Sequence, residues 1–255
     1  MTTPALHQVR QSFERAAATY DNAAQVQRLA CHALARHLPA ALPASSLLLD
    51  AGCGTGYALP LLHKCAPESA VLALDLAPAM LERANGTRLK LQGDLEALPL
   101  AAASVDLYWS SLAWQWCDPV RALAEARRVL RPTGHFLLAS LGPGTFSELR
   151  HAFSAVDDRP HTLNFLSADA LQNLAYAARF PALRLECQRE TLHYPDLRTL
   201  LRAVKAVGAN QLGRGRRAGL MGRAALARLT AAYERQRIDA GLPLSYDLVF
   251  LSGSA

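Results

Sequence analysis

The residues with the most chemical promise form one run, Asp50-Ala51-Gly52-Cys53-Gly54-Thr55-Gly56. Glycines at alternate positions allow a tight turn and let a ligand approach the backbone closely. The run follows an aliphatic stretch, Ser46 to Asp50, that reads as a strand. It precedes Tyr57 to Lys64, which reads as a helix. The N–H groups of that helix would then face whatever binds. Glycine spacing alone does not choose the ligand, because dinucleotide folds share it.

Asp50 narrows the choice. A carboxylate at the end of a strand repels a pyrophosphate and attracts an ammonium group. S-adenosylmethionine carries an α-amino group and a sulfonium, both cationic, so the loop fits that cofactor better than NAD. Two further acids stand in series with it. Asp75 closes the next aliphatic run, 19 residues after Gly56, where an acid can take both ribose hydroxyls. It also precedes Pro78, so it could equally cap a helix. In Gly93-Asp94-Leu95-Glu96, Asp94 could accept from the adenine amino group while Leu95 covers the ring.

These residues need a frame. Short apolar strands are expected at Ala70–Leu76, Arg88–Leu91, Val105–Ser110 and His135–Ser140, alternating with helices at Pro78–Ala84 and Pro119–Leu130. Arg131-Pro132-Thr133-Gly134 reads as a helix stop. Alternation of this kind predicts an α/β fold with a doubly wound, mostly parallel sheet. Helices are expected at Gln8–Ala18 and Ala23–Leu38 before it, and at Glu148–Val156, Ala168–Ala178, Leu197–Val207 and Arg223–Arg237 after it. Further strands are expected at Leu183–Gln188 and Tyr246–Ser252.

Composition sets limits. Apolar residues are 51% of the 255, enough for a sizeable core. No run reaches the roughly 18 apolar residues of a membrane span, and Met1 to Gln11 lacks a signal-peptide layout, so a cytoplasmic location is expected. The five cysteines are scattered, with no metal-ligand spacing. The net charge of +6 is uneven: Arg198 to Arg237 holds ten Lys/Arg and one acid. Such a basic field favours an acidic partner. Nucleic acid is not expected, because no recognisable binding module accompanies the patch and aromatics are few there.

The chain resembles the class I methyltransferases, and more closely the malonyl-[acyl-carrier-protein] O-methyltransferases of biotin synthesis. The resemblance runs almost end to end. It includes Ser12-Phe13-x-Arg15-Ala16-Ala17 with Tyr20-Asp21, the glycine loop, Leu74-Asp75-Leu76-x-Pro78-x-Met80-Leu81 and Gly93-Asp94-Leu95-Glu96. Its more diagnostic parts are Trp109-Ser110-x-Leu112-Ala113-x-Gln115-Trp116-Cys117, Val156-Asp157-Asp158-Arg159-Pro160-His161 and Pro243-Leu244-Ser245-Tyr246.

The resemblance implies a seven-stranded, Rossmann-like sheet in one domain over 1–255. It implies an N-terminal helical lid over 1–40 and helical additions at 142–180 and 196–240 that bind substrate and carrier protein. It implies S-adenosylmethionine as cofactor, contacted by Arg15, Asp50, Gly52, Cys53, Gly54, Gly56, Asp75, Leu76, Met80, Asp94, Leu95, Glu96 and Ser110, and no metal. The acceptor would be the free carboxylate of malonyl-acyl-carrier protein or malonyl-CoA. That carboxylate is already ionised at neutral pH, so positioning matters more than a general base. Tyr20 would orient it, Arg150 could clamp it with two parallel N–H bonds, and His161 lies in the same segment. The basic residues Arg202, Lys205, Arg214, Arg216, Arg217 and Arg223 would meet the acidic carrier protein. A small-molecule methyltransferase and a non-catalytic carrier-binding module are the alternatives, and an intact Asp50, Asp75 and Asp94 opposes the second.

Overall fold

Apolar strands that alternate with amphipathic helices must cover both faces of the sheet they form. The computed structural model describes residues 6–206 and 222–255. Helices α1 (Leu6–Ala16), α2 (Tyr20–Ala23) and α3 (Gln25–Ala35) lead into β1 (Leu47–Ala51), α4 (Leu59–Cys65), β2 (Ala70–Asp75), α5 (Pro78–Arg83), β3 (Lys90–Gln92) and β4 (Val105–Ser111). A 3-10 turn (Trp114–Trp116), α6 (Pro119–Val129), β5 (Leu130–Leu141), α7 (Ser147–Ser154) and α8 (Ala168–Ala177) follow. The chain closes with β6 (Ala182–Tyr194), α9 (Leu197–Ala206), α10 (Arg223–Glu234) and β7 (Leu242–Ser254).

The strands form one seven-stranded sheet ordered β3-β2-β1-β4-β5-β7-β6. Pairs among β1 to β5 are parallel, and β7 runs antiparallel between β5 and β6. The order reverses between β1 and β4. In open α/β sheets that reversal opens a ligand crevice at the carboxyl ends of the strands. Asp50 and Asp75 lie at those ends of β1 and β2.

Period-two alternation divides the core. Leu48, Leu107 and Trp109 pack with Leu34 of α3 and Leu62 of α4, while Leu49, Tyr108 and Phe136 pack with Leu123 of α6 and Leu171 of α8. Leu48 and Leu49 are both 0% exposed, and burying such a side chain stabilises by about 1.5–3 kcal/mol. Asp118 starts α6 by accepting from the Val120 and Arg121 N–H groups, with Pro119 in the first turn. No helix among the described residues is long and apolar enough to cross a membrane.

Two regions depart from expectation. The stop signal Arg131-Pro132-Thr133-Gly134 lies inside β5, not before it. Pairing with β4 jumps from Val105↔Leu130 to Leu107↔His135, so these residues bulge outward, with Thr133 left-handed at φ 70°. The last two strands are also longer than expected, paired from Ala182↔Ser254 to Tyr194↔Leu242. Arg184, Glu186 and Glu190 hide β6 on sequence, because an edge strand carries charges that break the apolar pattern.

Candidate active site

The glycine loop is held by backbone bonds before any ligand arrives. The N–H groups of Gly52 and Cys53 both donate to Leu74 O, at 2.8 and 2.9 Å. Gly52, Gly54 and Gly56 all have positive φ, yet they do different work. A Cβ on Gly52 would meet Ala113 Cβ at 2.5 Å, and one on Gly56 would meet Ala84 Cα at 2.9 Å. These two glycines let neighbouring segments approach. A Cβ on Gly54 would meet only the Tyr20 ring, at 4.0 Å. Gly54 is therefore the loop glycine whose space is open, and it lines a cavity.

That cavity lies over the ends of β1, β2 and β4, and Asp50, Asp75, Asp94, Leu76, Leu95 and Cys53 line it. Asp75 bridges the loop and α5: it accepts from Gly54 N and Ala77 N, each at 2.9 Å. Burial raises its pKa, and those N–H groups oppose the rise. Asp94 accepts from Glu96 N at 2.9 Å. Asp50 is 2% exposed, and its Oδ2 has no hydrogen-bond partner. Burial, with Asp75 adding to it, pushes its pKa up to about 8. Trp109 Nε1 lines the same cavity and is likewise buried without a partner. Ser111 lines it beside the Cys31 thiol. A buried carboxyl group and an indole donor that both lack partners fit a ligand with a cation and several polar groups. S-adenosylmethionine has that chemistry.

The N-terminal helices close over this cavity. Thr55 Oγ1 donates to Asp21 Oδ1 at 2.6 Å, tying α2 to the loop. Arg28 donates to Asp21 O at 2.6 Å, and His32 Nε2 bonds Tyr57 Oη at 2.9 Å. Burial, then the charge of Asp75, raises the pKa of Tyr20.

A second chamber adjoins the first, and Phe13, Tyr20, Gln27, Leu112 and Trp116 line both. Its other walls are largely apolar, including Leu141, Phe146, Leu149, Phe165 and Val204. Among the described residues, no Arg or Lys lines it. His161 does, stacked on Phe153 with ring centres 3.6 Å apart and Nε2 bonded to Asp157 Oδ1 at 2.7 Å. Leu112 and Phe146, two of its walls, are left-handed at φ 52° and 62°. Strain of this kind persists where the surroundings enforce it.

Several expected site residues lie elsewhere. Arg150 lines neither chamber; its guanidinium donates to the backbone carbonyls of Thr145 and Pro143. Arg15 is exposed on α1 and donates to Gln11 O. Met80 packs with Ala17 and Ala77 beneath α1. Glu96 turns towards α6, where it accepts from Asp118 N and Arg121. Ser110 points to the opposite face from Trp109 and donates to Ala51 O at 2.7 Å. Its neighbour Ser111 faces the cavity instead. Of the two tryptophans around the 3-10 turn, Trp116 walls both chambers, while Trp114 donates to Tyr108 Oη in the core. Asp21, Thr55 and Ser111 were not singled out. Tyr20-Asp21 and the loop Thr carried the only signal for the first two.

A methyltransferase domain family matches residues 49–138. Fold and cavity together define a class I methyltransferase that uses S-adenosyl-L-methionine. The malonyl-[acyl-carrier protein] O-methyltransferase of Dechloromonas aromatica (strain RCB) is 54% identical over 250 residues, 98% of this chain and 95% of that protein. The protein of the same name from Laribacter hongkongensis (strain HLHK9) is 42% identical, over 95% of this chain and 86% of its own length. The YcgJ protein of Bacillus shares the fold with a TM-score of 0.60 at 18% identity, over 89% of this chain and 97% of that one. The chain belongs to the malonyl-[acyl-carrier protein] O-methyltransferase family.

Proposed function

We propose that the enzyme esterifies the free carboxylate of malonyl-acyl-carrier protein, giving the methyl ester that primes pimeloyl synthesis for biotin. One observation carries this reading: the carboxylate-lined first chamber opens beside an apolar second one that holds no fixed cation among the described residues. The cofactor, when bound, supplies a methyl group on a sulfonium. In this reading Asp50 pairs with its cationic amino group, Asp75 with the ribose hydroxyls and Asp94 with the adenine. Gly52, Cys53, Gly54, Leu76 and Leu95 shape the surface between them.

Tyr20, on the wall common to both chambers, orients the acceptor carboxylate. His161, held by Asp157, is a second donor. The apolar walls exclude water, which would otherwise stabilise the separated charges before transfer. The segment over 1–40 is a lid, latched at Asp21 and Thr55. The additions at 142–180 and 196–240 supply the second chamber and the carrier surface. In the latter, Arg198, Arg202 and Lys205 outnumber Asp196 and Glu234 along a groove between α9 and α10 that Leu197, Leu201 and Leu226 also line. Arg223 opens α10, while Arg214, Arg216 and Arg217 lie outside the described residues. An acidic carrier protein suits that rim.

Incubation with methyl-labelled cofactor tests the reading. A base-labile ester should form on malonyl-carrier protein, and at lower kcat/KM on malonyl-CoA. Equal use of both removes the carrier surface from the reading, and no ester on either overturns it. Rescue of a biotin-requiring mutant is expected as well.

A further inference from the structure

Among the polar groups that line the second chamber and play no part in the proposed reaction, one has a buried atom without a partner. Gln115 lies in the 3-10 turn whose Trp116 walls both chambers, and Gln115 itself lines the second. Its Nε2 donates to Leu112 O at 2.6 Å. That bond fixes the amide, because the reverse orientation would set two carbonyl oxygens against each other. Oε1 is then an acceptor, shielded from solvent and without a hydrogen-bond partner among the described residues. A buried acceptor left unpaired is costly, so its position calls for a donor supplied from outside the chain.

The acid end of a malonyl thioester cannot be that donor. Its carboxylate and thioester carbonyl offer only acceptors. Along a pantetheine arm the first donor is the amide N–H two methylenes beyond the sulfur. We infer that Gln115 Oε1 accepts a hydrogen bond from this amide and so selects thioesters of pantetheine over free acids and simple thioesters. The inference rests on the esterification reading and adds to it: the chamber recognises the arm as well as the acid. The apolar walls suit the methylenes that lie between thioester and amide.

Two acceptors separate the possibilities: malonyl-pantetheine and S-ethyl malonyl thioester, which lacks the amide. Gln115→Met should lower kcat/KM about tenfold on malonyl-pantetheine, through KM, and change it little on the ethyl thioester. Equal losses on both acceptors, or no loss on malonyl-pantetheine, overturn the inference. A malonyl thioester of pantetheine N-methylated at that amide repeats the test on the unaltered protein. It should show a KM about tenfold higher than malonyl-pantetheine, and an unchanged KM overturns the inference. Failure of the unaltered protein to esterify any of these thioesters, or malonyl-carrier protein, would instead overturn the esterification reading and the inference with it.

Discussion

The two adjoining chambers are opposites in chemistry. The first collects four carboxyl groups: Asp50 and Asp75 at the ends of strands, Asp94 in the loop beyond β3 and Asp21 on α2. The second is walled by aliphatic and aromatic side chains, with a few neutral or weakly basic donors. In the first, burial holds the proton on Asp50 until a cation arrives to pair with the carboxylate. In the second, the reading above has the charge arrive with the acceptor and vanish on esterification. A fixed Arg or Lys there would stabilise the carboxylate before reaction more than during it. On that reading the chain prepares for its cofactor by electrostatics and for its acceptor by exclusion of water.

The largest test of this contrast is Asp50→Asn. It should weaken cofactor binding by about 100-fold or more, because it deletes one partner of a buried charge pair. Above pH 8 it should also raise the melting temperature of the ligand-free protein, since the carboxylate that ionises there without a partner is gone. Calorimetry and thermal melts read both, and unchanged affinity would break the contrast.

The pH dependence comes next. The pKa of Asp50 in the folded protein is about 8, above its value in an unfolded chain. The folded state therefore holds the extra proton between roughly pH 4 and 8. The Asp50 contribution to stability of the ligand-free protein is fully present below that window and is lost as pH rises through 8. Cofactor binding should release that proton, so affinity should rise about tenfold for each unit by which pH rises towards 8. Buffers of different ionisation enthalpy measure the release; a pH-independent affinity from 6 to 8 contradicts it.

A smaller effect is expected from the shared wall. Tyr20→Phe should lower kcat by about 10–100-fold with cofactor affinity nearly unchanged. Equal loss in both would assign Tyr20 to the cofactor alone. Arg150→Ala should leave the chemistry of both chambers intact. It should cost about 1–3 kcal/mol of stability through the freed carbonyls of Pro143 and Thr145. A selective rise in KM for the malonyl acceptor would return Arg150 to the second chamber.

The first chamber was far more legible in the sequence than the second. Gly52, Asp50 and Asp75 sit at strand ends, where backbone topology fixes the direction of a side chain, so residue type and spacing were enough. Ser110 and Ser111 show the limit: alternation along β4 sends them to opposite faces, and the expectation chose the wrong parity. Arg15 and Arg150 show another. Sequence reveals a guanidinium but not the backbone carbonyls it meets, and both engage local ones. Met80 and Glu96 lie near the motif but face α1 and α6. The second chamber draws on six separate stretches of chain, so only their folding together brings Tyr20, Trp116, Phe146, His161, Val204 and Tyr246 to one place.

Gly56 and Ala84 touch no ligand chamber, yet they set the distance between the loop and α5. A Cβ at Gly56 would fall 3.0 Å from that of Ala84. The two positions act as a gauge block for the cofactor site. Enlarging either would displace the loop and register as a binding defect, although neither residue borders the cavity. Tolerance to substitution at position 84 is therefore set by a site it never contacts.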